Sequence, residues 1–300
     1  MKKIKTKKTD EIIIKPNDLV TVTKMGNITE IQHMEKMNTR QTIQKISKHQ
    51  YVELATGEIK DFELSENRSE NLNSLRKTMK KMRYLINNNF YGKKNELALT
   101  LTYAENMTDT KRLEEDLESF IDKLRYRYKG KTKIEYMHVI EPQGRGAWHS
   151  HTLLRFEDLK YVYIPNDEIA KMWGQGIVTV KHLNNVDNIG AYLSAYLTDL
   201  PLDDDKVASA MLNGKKVVEK EIDGETKRFI KGGRLHMYPR DFNFFRKSRG
   251  IKYPERTKMK YQEAKKEVGF AEPNFSSVTK IESDDFKNTI SFEEYNSNRD

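Results

Sequence analysis

The chain has 300 residues, of which 36 % are hydrophobic and 33 % charged, with a net charge of +9 and a mean hydropathy of −0.83. It has no cysteine, which excludes disulfides, thiolate nucleophiles and Cys-bound zinc. No run approaches the ~20 apolar residues of a membrane helix, and the basic start MKKIKTKKTD lacks the apolar stretch of a secretory signal. The expectation is a soluble, cytoplasmic protein. A basic balance with interleaved Tyr and Phe points to a polyanion, either a nucleic acid or an anionic membrane surface.

Residues 11 to 64 read as short β segments, EIIIK, LVTVTK and YVELAT, separated by polar stretches such as HMEKMNTRQTIQK. Residues 66 to 90 predict a helix, because Leu72, Leu75, Met79, Met82 and Ile86 recur at spacings of three and four. Arg76, Lys77, Lys80 and Lys81 crowd its other face, which suits a DNA backbone as well as plain solvent. ELALTLTY (96–103) is a strand. A helix follows, with Thr108 or Asp109 as N-cap and Leu113, Leu117, Phe120, Ile121 and Leu124 on one face. KIEYMHVIE, a PQGRGA turn and WHSHTLLRF predict a hairpin. NDEIAKMWGQG reads as a helix opened by Asn166 or Asp167 and closed by glycine; the strand IVTVKHL and the helix NNVDNIGAYLSAYLTDL come after it.

The order strand, helix, strand, strand, helix, strand predicts an α+β fold. It is the ferredoxin-like split βαβ pattern: a four-stranded antiparallel sheet with helices on one face and the other face free for a site. Beyond Leu202 the chain is charged and loop-like, with a hairpin around Asp223–Gly224. FIKGGRLHMYPRDFNFFRKSRGIKYP then mixes Arg234, Arg240, Arg246, Lys247 and Arg249 with Tyr238, Phe242, Phe244 and Phe245. That mixture suits single-stranded nucleic acid, and equally a packing extension.

The chemistry centres on GAWHSHTLLRF. Side chains at i and i+2 of a strand share a face, so His149 and His151 project together, ~7 Å apart along the strand. A hairpin at PQGRGA brings Glu141 beside them as a carboxylate third ligand. Two imidazoles and a carboxylate leave open positions, as a catalytic metal requires. Mg²⁺ or Mn²⁺ fits an oxygen-containing set, and Zn²⁺ fits as well. Tyr192 and Tyr196, four apart, share a helix face. They are either a packing pair or nucleophiles, whose ordinary pKa near 10 calls for a metal to activate a phosphodiester.

LALTLTY, EPQGRGAWHSHTLL and NIGAYLSAYL, in this order and spacing, resemble the HUH endonucleases, and more closely the rolling-circle replication initiator (Rep) proteins of plasmids and phages. The resemblance spans Glu96 to Leu200 and extends more loosely to FRKSRGIKYP, which looks like segments of Rep proteins of Gram-positive elements. It implies that His149, His151 and Glu141 bind the metal, that Tyr192 is the principal nucleophile forming a 5′-phosphotyrosine, and that Tyr196 is the second tyrosine. It also implies origin DNA and single-stranded DNA as substrates, with a host helicase and polymerase as partners. The family commonly has lysines where this chain has Ala195 and Asp199. Arg76, Lys77, Lys80, Lys81, Arg145, Arg246, Lys247 and Arg249 are the candidate DNA contacts. The organisation expected is an accessory region over 1–90, a nuclease core with its basic–aromatic extension over 91–255, and a polar, partly disordered tail over 256–300. Two alternatives stand beside this reading: a conjugative relaxase or single-strand transposase, and a non-catalytic nucleic-acid-binding module.

Overall fold

A computed structural model describes residues 5–9, 14–37, 41–47, 49–62, 72–183, 188–190, 193, 197, 200–202, 217–222, 225–230, 233–239, 242–283 and 286–299. The chain divides into two compact units, one formed by Met1–Glu66 with Glu255–Asp300 and the other by Asn67–Pro254.

The first unit opens with β1 (Lys5–Thr9), β2 (Leu19–Met25), β3 (Ile28–Met34), β4 (Ile43–Lys45), β5 (Gln50–Glu53) and β6 (Ile59–Asp61). The second holds α1 (Leu72–Asn87), β7 (Glu96–Thr102), α2 (Thr110–Arg127), β8 (Ile134–Pro142), β9 (Trp148–Phe156), α3 (Asn166–Trp173), β10 (Val178–His182), β11 (Leu200–Leu202), β12 (Val217–Ile222), β13 (Glu225–Ile230) and β14 (Phe245–Lys247). The first unit resumes with β15 (Arg256–Lys260), α4 (Tyr261–Glu267), β16 (Phe275–Ser283) and β17 (Phe286–Asn296). Among the described residues no helix is long and apolar enough to cross a membrane.

In the first unit the two chain segments interleave in one six-stranded sheet, β1-β16-β17-β3-β2-β15, and β4, β5 and β6 form a separate meander. The stretch expected to be a polar tail is therefore strand, helix and hairpin, and α1 belongs to the second unit and not to an N-terminal region. The polarity misleads because this sheet buries polar side chains and satisfies them. Glu293, 1 % exposed, accepts hydrogen bonds from Tyr261 Oη at 2.7 Å and Tyr295 Oη at 2.5 Å. The first unit contains equal numbers of basic and acidic residues, so the whole net charge of +9 resides in the second.

The sheet of the second unit runs β10-β7-β9-β8-β14, all antiparallel. Its first four strands have the order 4-1-3-2 of the split βαβ pattern, as the sequence predicts, and β14 extends the β8 edge. Alternation along the strands makes two faces. One carries Leu97, Leu99, Leu101, Ile140, Leu154 and Phe156 against α2 and α3. The other carries Met137, Val139 and Leu153 against Met82, Leu85 and Ile86 of α1 and against Ile189, Leu193 and Leu197, which are helical. The expected free face is thus covered. The apolar stripe of α1 has to be buried somewhere, and a sheet with apolar side chains on both faces supplies the place.

Local chemistry sets the element ends. Asp109 caps α2, its carboxylate accepting from the amides of Lys111 at 2.8 Å and Arg112 at 3.2 Å. In α3 the cap is Pro165, ahead of the expected Asn166 or Asp167; proline has no N–H to leave unpaired there, and its fixed φ suits the helix entry. Gly174, at φ 71°, closes α3 in the left-handed conformation and donates to Ala170 O at 2.8 Å. β12 and β13 pair on either side of Asp223–Gly224, as expected.

Candidate metal centre and nucleic-acid interface

β8 and β9 pair in a register that sets Glu141 directly opposite His149 and Val139 opposite His151. The hairpin is fixed at its tip by Gln143 N donating to Ala147 O at 2.7 Å, and at its base by Trp148, whose indole donates to Thr108 O at 2.9 Å and stacks on Phe242. Cross-strand pairing and the i, i+2 spacing together bring the three side chains to one point. Glu141 Oε1 lies 2.7 Å from His149 Nε2 and 3.2 Å from His151 Nε2, and the two Nε2 atoms are 3.3 Å apart.

Glu141 and His149 are buried, and His151 is partly open. Burial opposes ionisation of Glu141. Hydrogen bonds and charge from His149 and His151 outweigh it and hold the carboxyl below the usual carboxylate range. Burial pushes His149 down, and the pull of Glu141 in the other direction does not restore it. The pair is therefore an ionised carboxylate with a neutral imidazole, the protonation state in which these groups bind metals.

The donor set fits a divalent ion. Two imidazole nitrogens compete here for a single carboxylate oxygen, whereas one cation satisfies all three atoms. Ligands ~2.0–2.2 Å from an ion stand roughly 3 Å from each other in tetrahedral or octahedral arrangements, and the three separations here are 2.7, 3.2 and 3.3 Å. Among the described residues this is the one group of three or more His, Asp or Glu side chains with such convergence.

Two neighbours shape the centre. Arg234 Nη1 lies 2.7 Å from Glu141 Oε2, with side chains 7 % and 3 % exposed, so the guanidinium occupies the oxygen that points away from the histidines. Thr100 Oγ1 lies 3.4 Å from His151 Nδ1. The sequence places Arg234 only within a basic–aromatic segment; its partner lies far upstream, and no local signal reveals it. Ser150 points to the opposite face, where its hydroxyl contacts Thr152 at 3.1 Å. There Thr152 also meets the buried His138 at 2.8 Å. Burial, with the charge of Arg246 adding to it, lowers His138 to about 3.

Tyr192 and Tyr196, with Ala195 and Asp199, lie outside the described residues. Their neighbours Leu193 and Leu197 are helical, buried and packed in the cluster that contains Val139, the cross-strand partner of His151. Leu197 O accepts from Tyr238 Oη at 2.8 Å, and Gly190 N donates to Asn87 Oδ1 at 2.8 Å, tying this stretch to the end of α1.

The candidate DNA contacts fall into distinct settings. Arg76, Lys77 and Lys81 are exposed on α1, and Lys80 lies 5.2 Å over the Tyr84 ring. The segment after β14 meets the end of this helix: Lys81 lies 5.7 Å over Tyr253, and Lys252 O accepts from Asn89 Nδ2 at 2.7 Å. Lys247 and Arg249 thereby adjoin the α1 cations. Arg145 sits at the hairpin tip and donates to Tyr103 O at 3.2 Å. Arg246 is half-buried and ion-paired with Glu114.

No curated protein matches the chain significantly. Residues 96–200, which hold Glu141, His149 and His151 together with Tyr192 and Tyr196, match a family of replication-associated proteins, the one described by its ORF2 and gene-2-protein members.

Proposed function

We propose that the chain nicks and rejoins single-stranded DNA at the replication origin of a plasmid or phage-like element and so initiates rolling-circle replication. One observation carries the reading: Glu141, His149 and His151 converge on a point suited to a divalent ion within the segment that matches a replication-associated family. A divalent ion, Mg²⁺ or Mn²⁺, bound there polarises a non-bridging oxygen of the scissile phosphate. His149 and His151 supply neutral nitrogens, Glu141 supplies the charge, and Arg234 keeps Glu141 in one rotamer. The Tyr192 phenol oxygen forms a bond to phosphorus as the bond from phosphorus to the 3′ oxygen breaks. The phenolic proton leaves to solvent and the 3′ oxygen takes one up, giving a 5′-phosphotyrosine and a free 3′-OH. Tyr196 repeats the attack while the first link persists. The chain has no GxxxxGK[ST] run, so a separate helicase opens the duplex and a host polymerase extends the 3′ end.

The test is an SDS-resistant adduct on labelled single strands from the gene's own replicon, with Mn²⁺ or Mg²⁺. The expected result is an adduct abolished by EDTA, by His149→Ala/His151→Ala and by Tyr192→Phe. An adduct that survives the histidine double variant refutes the metal centre, and no adduct on any such strand refutes the nickase.

A further inference from the structure

A second polar site lies at the other end of β8. It is a cavity of about 720 Å³ lined by the cations Arg125, Lys133, Lys247 and Arg249, with Tyr136 and the buried Glu135. The loop that carries Lys247 and Arg249 is set by Glu135. The carboxylate accepts from Ser248 Oγ, from Gly250 N at 2.9 Å and from Lys133 Nζ at 2.5 Å. Ser248 in turn receives Tyr136 N at 2.9 Å and donates its own amide to Tyr136 O at 3.0 Å. Gly250 is required at its position, because a Cβ there would stand 2.1 Å from the Glu135 carboxylate.

This clamp leaves a charge surplus facing the cavity. Lys133 is matched by Glu135, and Arg125 lies 3.3 Å from Asp122. Arg249 is exposed and has no carboxylate partner among the described residues. The Arg125 guanidinium lies 5.6 Å over the Tyr136 ring, a flat cation–aromatic pair at the cavity wall. Phosphate-binding cations beside a stacking surface are what a single nucleic-acid strand requires. A free phosphate or mononucleotide offers the same groups. The strand is favoured because the loop runs on into Lys252 and Tyr253 beside the α1 cations, in the unit that holds all the surplus charge.

We propose that this cavity is a single-strand DNA subsite, taking a phosphate on Arg249 and a base against Arg125 and Tyr136. It rests on the nickase reading for the identity of its strand. The stretch of β8 from Glu135 to Glu141 separates it from the metal centre by about 20 Å at the rise of a strand, within the ~4–16 nucleotides that single-strand grooves span.

The experiment measures fluorescence anisotropy of a labelled hexamer containing the cut site and of a 20-mer extended on both sides of it. The proteins are the wild type, the Arg125→Ala/Arg249→Ala variant and, as a charge control, Arg127→Ala, whose side chain pairs with Glu168. The expected result is a loss of about tenfold for the 20-mer in the double variant, with a shallower salt dependence. The hexamer and the control stay unchanged. Unchanged 20-mer affinity overturns the subsite, as does an equal loss for both lengths. Displacement of the 20-mer by dAMP or inorganic phosphate at micromolar concentration overturns it in favour of a small-molecule site. Adduct formation on the hexamer reads the metal centre separately. Adducts without a length effect sink the subsite alone; a length effect with no adduct on any strand sinks the nickase alone.

Discussion

Replacing Arg234 by methionine tests the metal centre through stability and not through activity. Arg234 and Glu141 form a buried ion pair at 2.7 Å, with side chains 7 % and 3 % exposed. Removing one member of such a pair leaves an uncompensated buried charge and costs about 3–5 kcal/mol. Two histidines still hold the other oxygen of Glu141, so the lower end applies. For a unit of this size each kcal/mol lowers Tm by about 2–4 °C, which gives a fall of roughly 6–12 °C. The assay is thermal or denaturant unfolding in EDTA, followed by tryptophan fluorescence. The chain's two tryptophans, Trp148 and Trp173, are buried in the second unit and report on it alone. In saturating Mn²⁺ the ion supplies the missing positive charge, so the gap between wild type and variant narrows by at least half. A fall below about 2 °C in EDTA would refute the buried pair. A gap of the same size with and without Mn²⁺ would show that no ion binds at Glu141.

Burial holds His138 at about 3 in the folded chain, against about 6.5 when unfolded. Above that unfolded value neither state carries the proton and His138 contributes nothing to the pH dependence. Below it the unfolded state binds more protons, and stability falls by about 1.4 kcal/mol per pH unit until the folded value is reached. Denaturant titrations at pH 6 and pH 5 should therefore show a slope shallower by about that amount in His138→Gln; identical slopes would mean that His138 titrates normally. A Cβ on Gly190 would stand 2.6 Å from Asn87 Oδ1 and 2.8 Å from Arg83 O, so Gly190→Ala should cost about 1–3 kcal/mol by overpacking and lower the adduct yield. Wild-type melting of that variant would deny the close approach to α1. Asp109→Ala removes the cap of α2 and should cost about 1 kcal/mol, read as a small drop in the tryptophan-detected Tm, with Asp109→Asn retaining most of it.

Much of the catalytic unit is legible in the chain. Periodicity locates β7, α2, β8, β9, α3 and β10 within a residue or two, because each element buries one regular face. His149 and His151 stand out since they interrupt an apolar strand, and the turn at PQGRGA is enough to bring Glu141 opposite them. Arg234 is hidden by distance along the chain, as is the alignment of the 247–250 loop on Glu135. The first unit is hidden for a different reason. Val278 is the only aliphatic side chain of β16 that is fully buried, while β17 buries Asn288, Ser291, Glu293, Glu294 and Asn296. Its strands are held by hydrogen-bonded polar side chains, which hydropathy reads as solvent. The covering of the second sheet face by α1 likewise follows from tertiary packing, since an amphipathic helix does not announce its partner.

The interleaving of the two chain segments in the first unit has a consequence for biosynthesis. β2 and β3 leave the ribosome early, yet their neighbours β15 and β17 lie beyond the entire second unit. At roughly 5–20 residues per second the hairpin waits on the order of ten to fifty seconds for its partners. The DNA-handling unit is complete first, and the sheet that brackets it in sequence closes last. A ribosome that stalls or terminates after Pro254 therefore releases a finished metal centre attached to a hairpin with two unpaired edges, an aggregation-prone product that the full-length chain never displays.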